Sequence, residues 1–132
     1  MPTNDLTRRV IGCAIEVHRH LGPGLLEAVY ESCLCEELAS AGLPFVRQLS
    51  LPVVYKGKTL EHHFQMDVIV DEALVLEIKA VHQVHPIHEA PLLTYLKLSG
   101  SPLGLLMNFN AAQMKDGIRR VIGPNAPWPT SG

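Results

Sequence analysis

The chain has 132 residues, 47% of them apolar and 18% charged, with a formal net charge of −2. That length and balance exclude global disorder and fit one domain with a core of its own. They also exclude nucleic-acid binding by bulk positive charge, and the longest uncharged stretch, 98–114, is too broken by polar residues to be a membrane span. Residues 1–9 are polar, so no secretory leader is expected there. Cys13, Cys33 and Cys35 are odd in number and form no CxxC pair. They read as small buried hydrophobes in a reducing compartment, which predicts a cytoplasmic protein.

Asn4 or Asp5 is placed to cap a first helix, in which Leu6, Val10, Cys13, Ala14, Val17 and Leu21 recur at helical spacing. Gly22-Pro23-Gly24 ends it. A second helix is predicted over 25–40, with Leu26, Val29, Tyr30, Cys33, Leu34 and Leu38 on one face and Gly42 at the C-terminal cap. From Pro44 the period becomes two. A strand over 45–55 carries Phe45, Leu49, Leu51, Val53 and Tyr55 on one face, and Pro52 marks an edge or a bulge. Lys56-Gly57 turns the chain into strands over 60–70 and 74–81. Pro86 and Glu89 open a third helix that ends near Ser99-Gly100. Residues 102–108 form an apolar strand, and 116–122 a short last helix or strand. This order predicts a mixed α/β (α+β) domain over 1–122, with a central mixed sheet of about four strands flanked by helices and a proline-rich tail over 123–132.

The chemistry concentrates in 64–80. Glu77 and Lys79 stand two apart in an otherwise apolar strand, so they share a face. Each costs several kcal/mol if buried without a partner. If the preceding turn is centred on Glu72, residues equidistant from it lie opposite one another. Asp67 then faces Glu77, and Gln65 faces Lys79, with Cβ atoms roughly 4.5–5.5 Å apart. A two-residue Asp71-Glu72 turn would put Asp67 on the other face. Two carboxylates that close repel, and a divalent cation between hard oxygen ligands removes the cost, which suits magnesium or manganese.

Asp67 followed by Glu77-x-Lys79 resembles the PD-(D/E)XK nucleases, and Gly24-Leu25-Leu26-Glu27-Ala28-Val29-Tyr30 has the form GxxExxY. Together with 86–90, 92–97 and 104–109, these segments are similar to the GxxExxY protein family, a PD-(D/E)XK-like group, over about 6–122. The resemblance implies a restriction-endonuclease-like core and a metal-dependent nuclease acting on DNA or RNA. It implies Asp67, Glu77 and the Ile78 carbonyl as ligands of Mg²⁺ or Mn²⁺, with Glu27 as a further ligand. Lys79 would orient or deprotonate the attacking water. Tyr30, His88 and Tyr95 are candidates for contact with substrate. One residue departs from the pattern: Pro91 stands where the family commonly has glutamine, so catalysis is weakened, a neighbour such as His88 or Thr94 takes over its role, or activity is lost. The small size and short basic clusters imply a homodimer or a protein partner for targeting.

Plainer readings compete with these. Asp67, Glu77 and Lys79 also fit an ion-pair network on a solvated face, and Glu27 a surface helix residue. Tyr30 also fits a core aromatic with a satisfied hydroxyl. His82, His85 and His88 are spaced three apart, but Pro86 breaks any shared helical face, which argues against a zinc site. A catalytically silent interaction module on the same fold is the rival to the nuclease.

Overall fold

The computed structural model describes residues 3–124. Helices α1 (Thr3–Leu21) and α2 (Glu27–Ser40) come first. They precede a sheet in the order β1 (Phe45–Tyr55), β2 (Lys58–Val70), β3 (Leu74–Lys79), β4 (Leu103–Asn108), β5 (Ile118–Ile122). Helix α3 (Pro86–Ser99) carries the chain from β3 to β4, the one parallel pair; the other neighbours are antiparallel. A parallel pair requires such a crossover. The sheet has five strands instead of about four, because 116–122 resolves into the end of a 3₁₀ turn (Met114–Gly117) and β5.

Two layers of side chains hold the sheet. On one face Leu6, Val10, Ala14 and Val17 of α1 and Tyr30, Leu34 and Leu38 of α2 meet Val68, Val70, Leu76, Ile78, Leu105 and Met107. On the other, Leu92, Tyr95 and Leu96 of α3 meet Ile69, Val75, Leu106 and Val121. β3 and β4 are covered on both faces, which is why, apart from Glu77, Lys79 and Asn108, each is an apolar run without alternation. Cys13 and Cys35 are buried in the α1–α2 layer and Cys33 is half-buried. Burial pushes the Cys13 thiol up and the Cys35 thiol to about 11, so both pack as protonated hydrophobes.

Several local expectations change. α1 begins at Thr3, so Asn4 and Asp5 lie in its first turn instead of capping it; Asp5 still complements the helix dipole there. α2 buries Tyr30, Glu31, Leu34, Cys35 and Leu38, while Leu26 is 75% exposed and Val29 lies in solvent as well. Helical spacing fixes the period, but the adjoining stripe that includes Glu31 is the one turned inward. Gly42 does end α2: at φ 73° its N–H donates to Ala39 O, and the Leu43 N–H donates to Leu38 O.

The largest correction lies in β1. Phe45 packs into the α1–α2 layer, whereas Leu51 packs against the α3 layer, although the two have the same parity. β2 does the same: Val68 and Val70 face α1 and α2, and Met66 and Phe64 go to the α3 side. Both strands turn over where Gln48 and Asp67 would pair, the rung missing between Arg47↔Val68 and Leu49↔Met66. Gln48 is left-handed there, with φ 52°. Such a residue inverts the alternation of the strand that contains it, so a single inward face over 45–55 cannot persist. Pro52 meets both readings, since β1 is an edge strand and its register shifts between Pro52 and Val54. At the far end, the Gly123 N–H donates to Pro102 O; the rest of the tail, 125–132, lies outside the described residues.

Candidate functional site

The β2–β3 hairpin sets the site. Asp71 and Glu72 both have positive φ, 52° and 55°, and the Ala73 N–H donates to Val70 O. Ala73 is then the extra residue that makes Val70 face Leu74, Ile69 face Val75 and Val68 face Leu76. This is the register centred on Glu72. The backbone ladder stops after Val68↔Leu76. Beyond it the Asp67 side chain takes over, with Oδ2 accepting the Ile78 N–H at 2.7 Å. A carboxylate thus fills the place of a strand carbonyl at the point where β2 turns over. The expected Gln65–Lys79 pairing does not form; Gln65 is paired with Ser50 of β1 instead.

Glu77 has the parity of Val75 and is 7% exposed. Burial, the first cause, pushes its carboxyl up to about 9. A side-chain hydrogen bond with Asp67 and the charges of Asp67 and Glu27 act in the same sense, and Lys79 opposes them. The ionised form is therefore disfavoured because one ammonium faces two further carboxylates in a poorly solvated place. Lys79 is half-buried at the end of β3, and its carbonyl accepts the Phe109 N–H at 2.9 Å. Ile78 turns its side chain into the α1–α2 layer while its N–H anchors Asp67.

Glu27, at the start of α2, is exposed, and its Oε2 accepts the Ala80 N–H at 3.2 Å. This brings it within electrostatic reach of Glu77. It does not complete a triad: among the described residues no group of three His, Cys, Asp or Glu side chains is positioned to hold a metal ion. That statement covers His82, His85 and His88 too. His88 is half-buried in the first turn of α3, where its Nδ1 accepts the His85 N–H at 2.8 Å. Pro91 is exposed one turn further along α3.

Tyr30 lies in the core, not at a surface. It is fully buried, its hydroxyl donates to Gly22 O at 2.6 Å and accepts the Leu25 N–H at 3.1 Å, and its ring stacks on Phe109 at 4.7 Å. The tyrosine of GxxExxY pins the turn in which Gly24 takes φ 100°, and so fixes where Glu27 begins its helix. Tyr95 is 2% exposed and packs in the α3 layer. It lines a cleft of about 480 Å³ with Asp71 and Glu72 at the hairpin turn and Ser99 at the C-terminal end of α3, the opposite end from His88. The resemblance implies both tyrosines near a substrate; burial in the core accounts for their positions here.

The family model described as the PD-(D/E)XK nuclease superfamily matches residues 4–121. The chain belongs to this superfamily. Searches of curated proteins and of solved structures returned no match. PD-(D/E)XK nucleases generally use divalent metals, and the donors found here suit one. Asp67 and Glu77 offer two hard carboxylates in contact, a charge arrangement that a cation relieves. Magnesium is commonly held by one or two carboxylates and completed by water, so a third protein carboxylate is not required. No helix among the described residues is long and apolar enough to cross a membrane.

Two groups of residues have no counterpart among the sequence expectations. Glu31, buried on α2, receives Arg47 Nε and Nη2 at 3.0 and 2.8 Å and Gln48 Nε2 at 2.8 Å. Asn108, at the end of β4, is 5% exposed and bonds both polar groups of Val81. Its signal was available: an amide closing an all-apolar strand needs buried partners.

Proposed function

We propose that this domain is a metal-dependent nuclease that hydrolyses phosphodiester bonds in DNA or RNA. The observation that carries the reading is the buried Glu77 carboxyl hydrogen-bonded to Asp67, with Lys79 two residues along the same strand. Superfamily membership supports the substrate class, and the spacing of Gly24, Glu27 and Tyr30 supports a GxxExxY-type member.

In this reading Asp67 and Glu77 hold Mg²⁺ or Mn²⁺. A bound ion would supply Lewis acidity and neutralise charge on the phosphate. With an ion bound, Glu77 would be held as the carboxylate, so loading would be favoured by rising pH. The Asp67 carboxylate keeps its orientation through the Ile78 N–H. Lys79 orients or deprotonates the attacking water and stabilises the negative charge that grows on the phosphate oxygens. Glu27, on the Ala80 N–H, adds a carboxylate at the rim that orders water. With a net charge of −2, the chain relies on a protein partner or a second copy of itself to gain grip on a polyanion.

The test is calorimetric titration of Mn²⁺ into the wild type and into the Asp67→Ala, Glu77→Ala double variant, both checked for folding. Cleavage assays on single- and double-stranded DNA and RNA follow, with Lys79→Ala as control. The expected result is Mn²⁺ binding that vanishes in the double variant and cleavage that vanishes in both the double variant and Lys79→Ala. A wild type that binds no Mn²⁺, with or without nucleic acid, overturns the proposal in favour of a silent interaction module.

A further inference from the structure

β4 ends at Asn108, and Asn108, Phe109 and Asn110 each grip backbone next to the candidate site. The backbone ladder between β3 and β4 stops at Lys79↔Asn108. The Asn108 side chain extends it. Its Oδ1 accepts the Val81 N–H at 3.0 Å, and its Nδ2 donates to Val81 O at 3.0 Å, as a neighbouring strand would. The same Oδ1 accepts the Asn110 N–H at 3.2 Å. The Phe109 N–H donates to Lys79 O at 2.9 Å, and the ring stacks on Tyr30. Asn110 Oδ1 accepts the Gly24 N–H at 3.1 Å, three residues before Glu27.

The two ends of the site therefore meet at one tripeptide. Ala80 lies between the two clamped residues, with Phe109 on the Lys79 carbonyl and Asn108 on Val81, and the Ala80 N–H is the group that holds Glu27. We infer that Asn108 is a positioning residue: by fixing the peptide groups from Lys79 to Val81, it sets where the Lys79 ammonium points and where the Glu27 carboxylate rests. The catalytic consequence rests on the nuclease reading; the clamp itself does not. Only an amide of this length offers a donor and an acceptor to one residue's carbonyl and amide together. A carboxylate keeps the bond to the Val81 N–H and sets an acceptor against Val81 O.

The experiment compares the full chain with Asn108→Asp, Asn108→Ala and a packing control, Leu105→Ala, in the same strand. Leu105 is fully buried and takes no part in the site. Amide hydrogen exchange and steady-state cleavage are both read, at a temperature where every variant is folded. Asn108→Ala is expected to lose protection at Ala80 and Val81 while the rest of β4 stays protected, and Asn108→Asp, which keeps an acceptor for the Val81 N–H, is expected to lose less. Their kcat is expected to fall by about tenfold to a hundredfold, the range for a small misplacement of a catalytic group, with KM and Mn²⁺ affinity within about twofold of wild type. Leu105→Ala is expected to lower the melting temperature and leave kcat unchanged. Two results overturn the inference: protection at Val81 that survives both Asn108 variants, or protection that is lost with kcat unaltered. A wild type that cleaves nothing refutes the nuclease reading instead, and the exchange data then decide the clamp alone.

Discussion

Glu31 and Glu77 are equally buried, at 7% exposure each, and their surroundings are opposite. Glu31 receives two nitrogens of Arg47 and the amide of Gln48. Glu77 meets the carboxyl of Asp67, with Lys79 as the cation opposing its shift. A buried carboxylate without compensation is costly, and cores rarely keep one. Glu31 is therefore explained by the fold. Its partner Gln48 is also the left-handed residue at which β1 turns over, opposite Asp67, so the cluster with a cation supports the break that the two-carboxyl cluster occupies. Glu77 is not explained by the fold, and a strongly shifted carboxyl beside another carboxyl is the pattern of a site waiting for a ligand.

Glu77→Gln tests this contrast with the largest effect. Cleavage is expected to fall by about a thousandfold or more, equivalent to roughly 4 kcal/mol of barrier, and Mn²⁺ binding to disappear. At about pH 8 the metal-free variant is nevertheless expected to melt higher than wild type, because the amide removes a buried acid that the unfolded chain ionises freely. Glu31→Gln should do the reverse. It leaves Mn²⁺ affinity unchanged and lowers stability by about 1–3 kcal/mol, since the Arg47 bonds weaken in a half-buried place. If both variants destabilise alike, the two glutamates are the same kind of residue and the contrast fails.

The pH dependence follows from the same carboxyl. Its native pKa, about 9, lies above its ordinary value of 4.5, so between those values the folded state binds more protons than the unfolded one. Stability of the metal-free protein must then fall as pH rises through that window, by about 3 kcal/mol between about pH 4.5 and 7. Thermal melts at about pH 5, 7 and 8.5 read the slope. Mn²⁺ should restore stability more strongly at the higher pH, and Glu77→Gln should flatten the curve. Asp67→Asn sharpens the cause: its Oδ1 still accepts the Ile78 N–H and the like charge is gone, but the burial of Glu77, which raises its pKa most, remains. The slope should therefore shrink without vanishing, and a slope that vanishes would assign the shift to Asp67 instead of burial.

How much of this was legible in the sequence depends on the range of the interaction. The hairpin register was legible because Glu72 and the apolar residues on either side of it fix the pairing locally. β3 and β4 were legible as runs apolar on both faces. The face of β1 was not, because one left-handed residue, Gln48, inverts alternation and nothing in its side chain announces it. The inward stripe of α2 is hidden for a related reason: Glu31 looks like a solvent residue until Arg47 and Gln48 arrive from a different element. Asn108 is legible as an amide that needs buried partners, but which partner is hidden in the same way, since Val81 stands on the far side of α3 in sequence. Local periodicity reports elements, and the charged and amide groups that organise the site are matched only by tertiary contacts.

Tyr30→Phe carries the smallest effect and divides two roles for the GxxExxY tyrosine. The hydroxyl bonds Gly22 O and the Leu25 N–H inside the core, so its removal should cost about 1–2 kcal/mol. The ring remains, and with it the stack on Phe109 that holds the α1–α2 turn against β4. Glu27 should keep its place on the Ala80 N–H, and cleavage should stay within a few-fold of wild type at temperatures where the variant is folded. A loss of activity comparable to that of Lys79→Ala, in a variant with an unchanged melting temperature, would mean that the hydroxyl leaves Gly22 to meet the substrate. The motif tyrosine would then belong with Glu77 and not with Glu31.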